Sequence, residues 1–142
     1  MSPQGELNTD VVRRWARAGD DHDLDVFDEL FTADTVDHVS GNIGVRWWKE
    51  IYRRILDTFP DAAWADVVTV AEDDLVAFRG ALVGTHRGSA LPMLVGVEPT
   101  GRAMRWQHQH LFRLRDGLIT EHWATRDDLG LLRGIAPAVY TR

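Results

Sequence analysis

The chain contains no cysteine, which removes disulfides, thiolate chemistry and zinc sites of the usual cysteine type. No stretch approaches the ~18 consecutive apolar residues that a membrane span needs. The segment from Met1 to Asn8 holds nothing like a signal peptide, so a cytoplasmic protein is expected. There is no Gly-rich phosphate loop and no dinucleotide fingerprint. Ser40 and Ser89 lack the Gly-x-Ser-x-Gly context of an activated serine. Positive charge is also in short supply. Sixteen Lys and Arg against 22 Asp and Glu leave a formal net charge of −6, which argues against nucleic acid or an anionic membrane as partner.

What is present fits one domain over residues 1–142, with a core from about 9 to 135. A chain of 142 residues, 44% of them hydrophobic, is long enough to bury about two-thirds of its unfolded surface without covalent staples. Val11, Val12, Trp15 and Ala18 form an amphipathic stripe on a first helix capped by Asn8 or Thr9. Leu24 to Phe31 reads as a short second helix and residues 32–44 as loop. Val45 to Leu56 reads as a third helix. Trp47 and Trp48 are ~100° apart on it, so one of them lies outside the core. From Ala63 the period changes to strand: Trp64 to Ala71, then Leu75 to His86. Leu129 to Ile135 forms a short terminal element, and Pro137 to Arg142 a loose tail. Helices first and consecutive strands after is an α+β pattern, with the N-terminal helices covering one face of a curved antiparallel sheet. The loop between Arg87 and Gly101 is unusually apolar, which suits either packing filler or a flap over a cavity.

The most informative stretch runs from Met104 to Asp127, two strand-like arms joined at Asp116-Gly117, a strong two-residue hairpin signal. Simple pairing sets Arg115 opposite Leu118. One face then carries Leu114/Ile119, Phe112/Glu121, His110/Trp123, His108/Thr125 and Trp106/Asp127. The other carries Arg113/Thr120, Leu111/His122, Gln109/Ala124 and Gln107/Arg126. The first face passes from apolar to indoles, imidazoles and a carboxylate, as the wall of a pocket would. His108 and His110 share that face about 6.5–7 Å apart. With Asp127 they have the spacing of a two-His, one-carboxylate metal set; the other readings are hydrogen-bonding or acid/base roles in a pocket and satisfied structural histidines.

Six motifs occur together and in order: Asp37-His38, Phe59-Pro60-Asp61, Gly84-Thr85-His86-Arg87-Gly88, Pro99-Thr100-Gly101-Arg102, Phe112-Arg113 with Asp116-Gly117, and Glu121-His122-Trp123 followed by Asp127 and Leu129-Gly130-Leu131-Leu132. In these the chain resembles the SnoaL-like polyketide cyclases. The resemblance implies a nuclear transport factor 2-like cone, a strongly curved antiparallel sheet with helices on its concave face. It also implies a homodimer and chemistry without cofactor or metal. Asp127 matches the family's acid/base residue, and His38 a position at the cavity. The apolar segment from Ser89 to Glu98 is longer than the family's linker and favours a larger, greasier ligand.

The expectation is therefore a cofactor-independent cyclase of a polyketide-derived intermediate in antibiotic biosynthesis. Asp127 would move the proton, while His110, His108 and His38 stabilise oxyanion charge. Trp106, Trp123, Phe112, Trp48, Glu121, Leu94 and Met93 would hold an apolar substrate. The alternatives are a pericyclic cyclase governed by cavity shape, an isomerase or epoxide-opening enzyme, and a non-catalytic binding module. The outer hairpin face (Gln107, Gln109, Leu111, Arg113, Thr120, His122) is the expected dimer contact. His86 is expected to organise the strand end.

Overall fold

The computed structural model describes residues 2–140. Helix α1 spans Pro3–Asp20. Ser2 caps it by accepting from the Gly5 N–H, and proline occupies the first turn, where its missing N–H costs nothing. The helix thus begins before Asn8 and Thr9. The Thr9 hydroxyl donates back to the Gly5 carbonyl at 2.7 Å, a mid-helix bond by a residue that resembled a cap. A 3-10 turn, Leu24–Glu29, leads into strand β1, Phe31–Asp37. Helix α2 covers Val45–Thr58. Strands β2 (Ala63–Glu72), β3 (Leu75–Thr85), β4 (Ala103–Arg115) and β5 (Leu118–Arg126) follow, then helix α3 (Asp128–Ile135) and the short α4 (Pro137–Tyr140). Part of the expected loose tail is therefore helical; Thr141 and Arg142 lie outside the described residues.

The five strands form one sheet in the order β1-β5-β4-β3-β2. The neighbours among β2 to β5 are antiparallel, but β1 lies parallel to β5, with Asp37 opposite His122. The sheet is therefore mixed, and residues 32–37 are strand where loop was expected. The partner of β1 lies more than eighty residues away, so no turn signal announces the pairing.

The helices pack on one face of the sheet. Trp15 of α1 and Trp48 of α2 meet Phe78 and Phe112 of the sheet, all nearly inaccessible. A second cluster joins Ile55 and Phe59 to Leu82, Trp106, Leu131 and Ile135, and takes in Leu91 and Leu94 from the long apolar loop. That loop is pinned at both ends. The Arg87 and Gly88 N–H groups donate to the Thr58 carbonyl, and the buried ring of His86 accepts from the Thr100 N–H.

Bulges between Ala65 and Val68 of β2 and between Arg113 and Leu114 of the β4–β5 pairing bend the sheet around this face. The second bulge overturns the simple hairpin register. Arg115 pairs with Leu118 and Leu114 with Ile119 as expected, but Arg113 then faces Glu121, so Thr120 is the extra residue. Because side chains alternate, every later residue of β5 changes face. Phe112 sits opposite His122, His110 opposite Ala124 and His108 opposite Arg126. Glu121, Trp123 and Thr125 turn outward. Deletion of Thr120 would remove the extra residue and leave Arg113 opposite Glu121 and Phe112 opposite His122, with both faces of β5 unchanged. The expected result is a cooperative thermal unfolding transition, followed by circular dichroism, that is retained at a lowered midpoint because the local bend is lost. Loss of the cooperative transition, as expected were the ladder unbulged and the deletion to turn every later side chain over, would contradict the bulge.

Candidate active site

A cavity of ≈ 270 Å³ opens where the end of β1, helix α2, the apolar loop and the start of α3 converge. Helix α2 supplies Trp47, Ile51 and Ile55, at four-residue spacing along one stripe, and Trp48 beside them. Leu91, Pro92 and Met93 form the opposite wall, so the long loop packs down and also lines the hollow. Trp106, Asp37, His122, Arg126 and Asp128 make up the sheet side and the polar end.

Asp37 organises that end. Its Oδ1 accepts from the Val39 N–H (3.2 Å) and from His122 Nδ1–H (2.9 Å). Its Oδ2 accepts from the Ser40 N–H (3.3 Å), the Ser40 hydroxyl (2.6 Å) and Trp47 Nε1–H (2.9 Å). Burial alone would push this carboxyl up. The hydrogen bonds from His122 and Ser40 outweigh burial and hold it well below the ordinary carboxylate range. Asp37 is thus ionised, and five donors already occupy it.

That charge sets the tautomers of three imidazoles in series. His122 gives its Nδ1 proton to Asp37, so its Nε2 accepts from His110 Nδ1–H at 2.7 Å. His110 Nε2 in turn accepts from His108 Nδ1–H at 3.0 Å. His108 Nε2 ends the chain as a buried lone pair with no partner among the described residues. All three rings are inaccessible. Burial lowers the affinity of each for a proton, and at His122 it prevails over the attraction of Asp37. The series is a neutral file of imidazoles ending on one carboxylate. Their nitrogens point at one another, and no group of three or more His, Asp or Glu among the described residues is arranged to hold a metal ion.

Two charged groups remain available to a ligand. Arg126, turned inward by the bulge, lines the cavity and has no hydrogen-bond or ion-pair partner among the described residues. Burial works against its charge, while Asp37 and Asp128 nearby support it. A guanidinium keeps its proton regardless. Asp128 opens α3, where a carboxylate is favoured by the helix N-terminus. One of its oxygens accepts from Trp106 Nε1–H at 3.1 Å, and the other has no hydrogen-bond partner among the described residues.

The expected site residues thus separate into three groups. Trp48, Trp106 and Met93 line the cavity. His108 and His110 face inward as read from the hairpin, but inside the imidazole file, and Phe112 and Leu94 are core residues behind the walls. Asp127, Trp123, Glu121 and His38 lie elsewhere. Asp127 is exposed and caps α3 by accepting from the Gly130 N–H at 2.8 Å. His38 stacks on Trp123 with ring centroids 4.7 Å apart and contacts Glu121 at 3.3 Å, outside the cavity. His122, expected on the outer face, is at the centre of the site. The one-residue bulge accounts for the exchange of His122 and Arg126 for Trp123 and Glu121.

An α+β fold with helices on one face of a curved sheet, enclosing an apolar cavity with a charged end, is that of the nuclear transport factor 2-like proteins. The profile of the SnoaL-like polyketide cyclases matches residues 9–135, and the chain belongs to that family. IdmH of Streptomyces antibioticus, a proposed polyketide cyclase, shares 29% identity over 89% of this chain and 96% of its own, with a TM-score of 0.76. AclR of Streptomyces galilaeus, a proposed hydroxylase, shares 26% over 90% and 80%, with a TM-score of 0.79. A proposed SnoaL-like polyketide cyclase of Jannaschia sp. CCS1 shares 25% over 96% of both chains, with a TM-score of 0.80. No curated protein matches the chain. No helix among the described residues is long and apolar enough to cross a membrane.

The neutral imidazole file has a consequence for stability. Unfolded histidines take up protons below their ordinary value of 6.5, whereas buried His108, His110 and His122 resist. The folded state therefore loses ground as pH falls through that value, by up to about 1.4 kcal/mol per pH unit for each imidazole. Asp37 acts only at lower pH, because its carboxyl is depressed from 3.8 and its contribution persists above that value. The melting temperature should fall on acidification below pH 6.5, and His108→Leu should flatten the slope. An unchanged slope in that variant would show that His108 titrates freely in the folded protein.

Proposed function

We propose that this polyketide cyclase family member closes a ring in a polyketide-derived intermediate by acid/base chemistry carried by its own side chains. The observation that carries this reading is the pair Arg126 and Asp128. Both lie at one end of a cavity otherwise walled by Trp47, Trp48, Trp106 and aliphatic groups, and both have free hydrogen-bonding capacity. The unpaired oxygen of Asp128 takes a proton from a carbon beside a carbonyl, and the electrons of that C–H bond move onto the carbonyl oxygen, which Arg126 meets as an enolate. The enolate carbon attacks a second carbonyl of the same chain, and the new alkoxide recovers the proton from Asp128. Such proton transfer is worth about 10² to 10⁴ in rate. Walls that hold a flexible chain folded add several kcal/mol more.

The apolar share of the wall favours a second reading, a pericyclic closure in which shape dominates. Asp128→Asn separates the two. Acid/base closure of a linear poly-β-ketone thioester, followed by chromatography of the cyclised product, should fall at least about 100-fold with binding retained. Retained turnover, together with its loss on Ile51→Trp, would establish the pericyclic reading instead. Asp127→Asn should change stability through the cap and leave the rate near the parent's. The reading carries with it antibiotic biosynthesis as the setting, the cytoplasm as location and no cofactor. It also carries a homodimer through the outer sheet face, where Val68 and Val70 are exposed.

A further inference from the structure

We propose that the cavity takes only the ring-forming end of its substrate, and that the rest of an apolar chain lies across an exposed rim formed by Val39, Pro92, Val95 and Leu129. The inference rests on the cyclase reading and concerns what is attached to the reacting end. Volume comes first. At the density of packed organic matter a non-hydrogen atom with its hydrogens needs about 20 Å³, so the hollow of ≈ 270 Å³ holds about a dozen of them. That is one small ring with a few substituents. The long apolar loop suits a larger ligand, and a larger ligand fits only by projecting through the mouth.

The mouth is marked by the lining residues that reach solvent. Trp48, Ile55 and Leu91 are buried, whereas Val39 is 50% exposed and Pro92 is exposed as well. Pro92 opens a 3-10 turn, Pro92–Leu94, after which the Val95 N–H donates to the Pro92 carbonyl. Residues three apart eclipse in such a turn, so Val95, 76% exposed, continues the edge that Pro92 begins. On the side of α3, Asp128 is the exposed lining residue, and Leu129 follows it at 61% exposure. The loop and α3 are neighbours, since Leu94 and Leu131 belong to one buried cluster. Three segments far apart in the chain thus each bring an exposed aliphatic side chain to one opening. A single exposed aliphatic residue is ordinary; a set of them continuous with an apolar cavity has the form of a binding surface. None of the four carries a charge or a polar side-chain atom, which suits hydrocarbon. Four side chains also fall well short of the roughly 800 Å² per partner that a stable protein contact buries, so a chain fits this rim better than a protein face does.

The test uses methyl ketones with six, nine, twelve or fifteen carbons, each ending in a triethylene glycol tail for solubility. Calorimetry on the intact protein should show affinity rising about fourfold per methylene while the cavity fills. Between the twelve- and fifteen-carbon probes the rise should continue at about twofold per methylene, as for carbons left half exposed on the rim. The double variant Val95→Ser with Leu129→Ser removes apolar surface outside the cavity. It should weaken the fifteen-carbon probe at least about fivefold. The six- and nine-carbon probes should bind it as they bind the parent, which also reports that the variant is folded. A plateau beyond twelve carbons, or equal weakening of short and long probes in the variant, would overturn the inference and leave the cyclase reading standing. An unchanged fifteen-carbon affinity would do the same, and a changed sedimentation coefficient of the variant alongside it would give the rim to a second copy of the chain. Failure of every probe to bind would remove the inference and the cyclase reading together.

Discussion

Asp37 is where the chain's separate pieces are tied. It ends β1, faces His122 across the parallel pairing, and takes the N–H groups of the following turn and the indole N–H of α2. One buried carboxylate therefore joins the sheet edge, the β1–α2 loop and the cavity helix. An isolated charge in such a place would be prohibitive, and five donors, one of them an imidazole, are what make it tolerable. The arrangement also determines what the site can do. A carboxylate so fully engaged is poorly placed to act as a base, and its influence passes instead into the orientation of His122, His110 and His108.

The imidazole file resolves a packing difficulty. His108 and His110 lie among Trp15, Trp64, Trp106 and Phe112, surroundings that suit aromatic carbon and punish unpaired nitrogen. Donation in one direction, started by Asp37, satisfies every ring nitrogen but the last. Reversing the direction would require a proton on Asp37, which its donors oppose. The rings are thereby held neutral and in single tautomers, and the floor beneath the cavity is rigid without carrying net charge beyond the one carboxylate.

Much of this was legible in the chain. The Asp116-Gly117 turn, the inward direction of His108 and His110, the aromatic face of α2 and the family motifs all lead to the observed scaffold. The misplaced residues of the β4–β5 hairpin share one cause. A bulge is a single extra residue, and nothing in Leu118-Ile119-Thr120-Glu121 marks Thr120 as that residue, since Ile and Thr suit either face of a strand. From there the error propagates by parity. Asp127 turns outward and caps α3 while Asp128 lines the cavity, His122 replaces Trp123 in the interior, and Arg126 arrives in a cavity from which simple alternation had excluded it. The parallel strand β1 was invisible for another reason, because its partner lies far along the chain and no local signal encodes such a pairing. A clue did exist. Arg126-Asp127-Asp128 places opposite charges beside an apolar terminal helix, and one of those aspartates was bound to be surplus to capping.

The charge inventory of the cavity bears on how much of catalysis the electrostatics can carry. Asp37 is offset by its donors, which leaves Arg126 and Asp128 as an opposed couple in a hollow walled by indoles and aliphatic groups. A step that creates new net charge beside the half-buried Arg126 is costly, because burial already works against that cation. Moving a proton onto Asp128 while an enolate forms against Arg126 creates none, since the negative charge only changes position relative to a fixed cation. The groups are already oriented by Trp106, by the start of α3 and by the bulge, so little reorganisation accompanies the shift. In the proposed ring closure, Arg126 and Asp128 therefore need each other. Without the cation the carboxylate would hand its charge to an oxygen with nothing to receive it, and without the carboxylate the cation would hold a neutral ligand that has no reason to ionise.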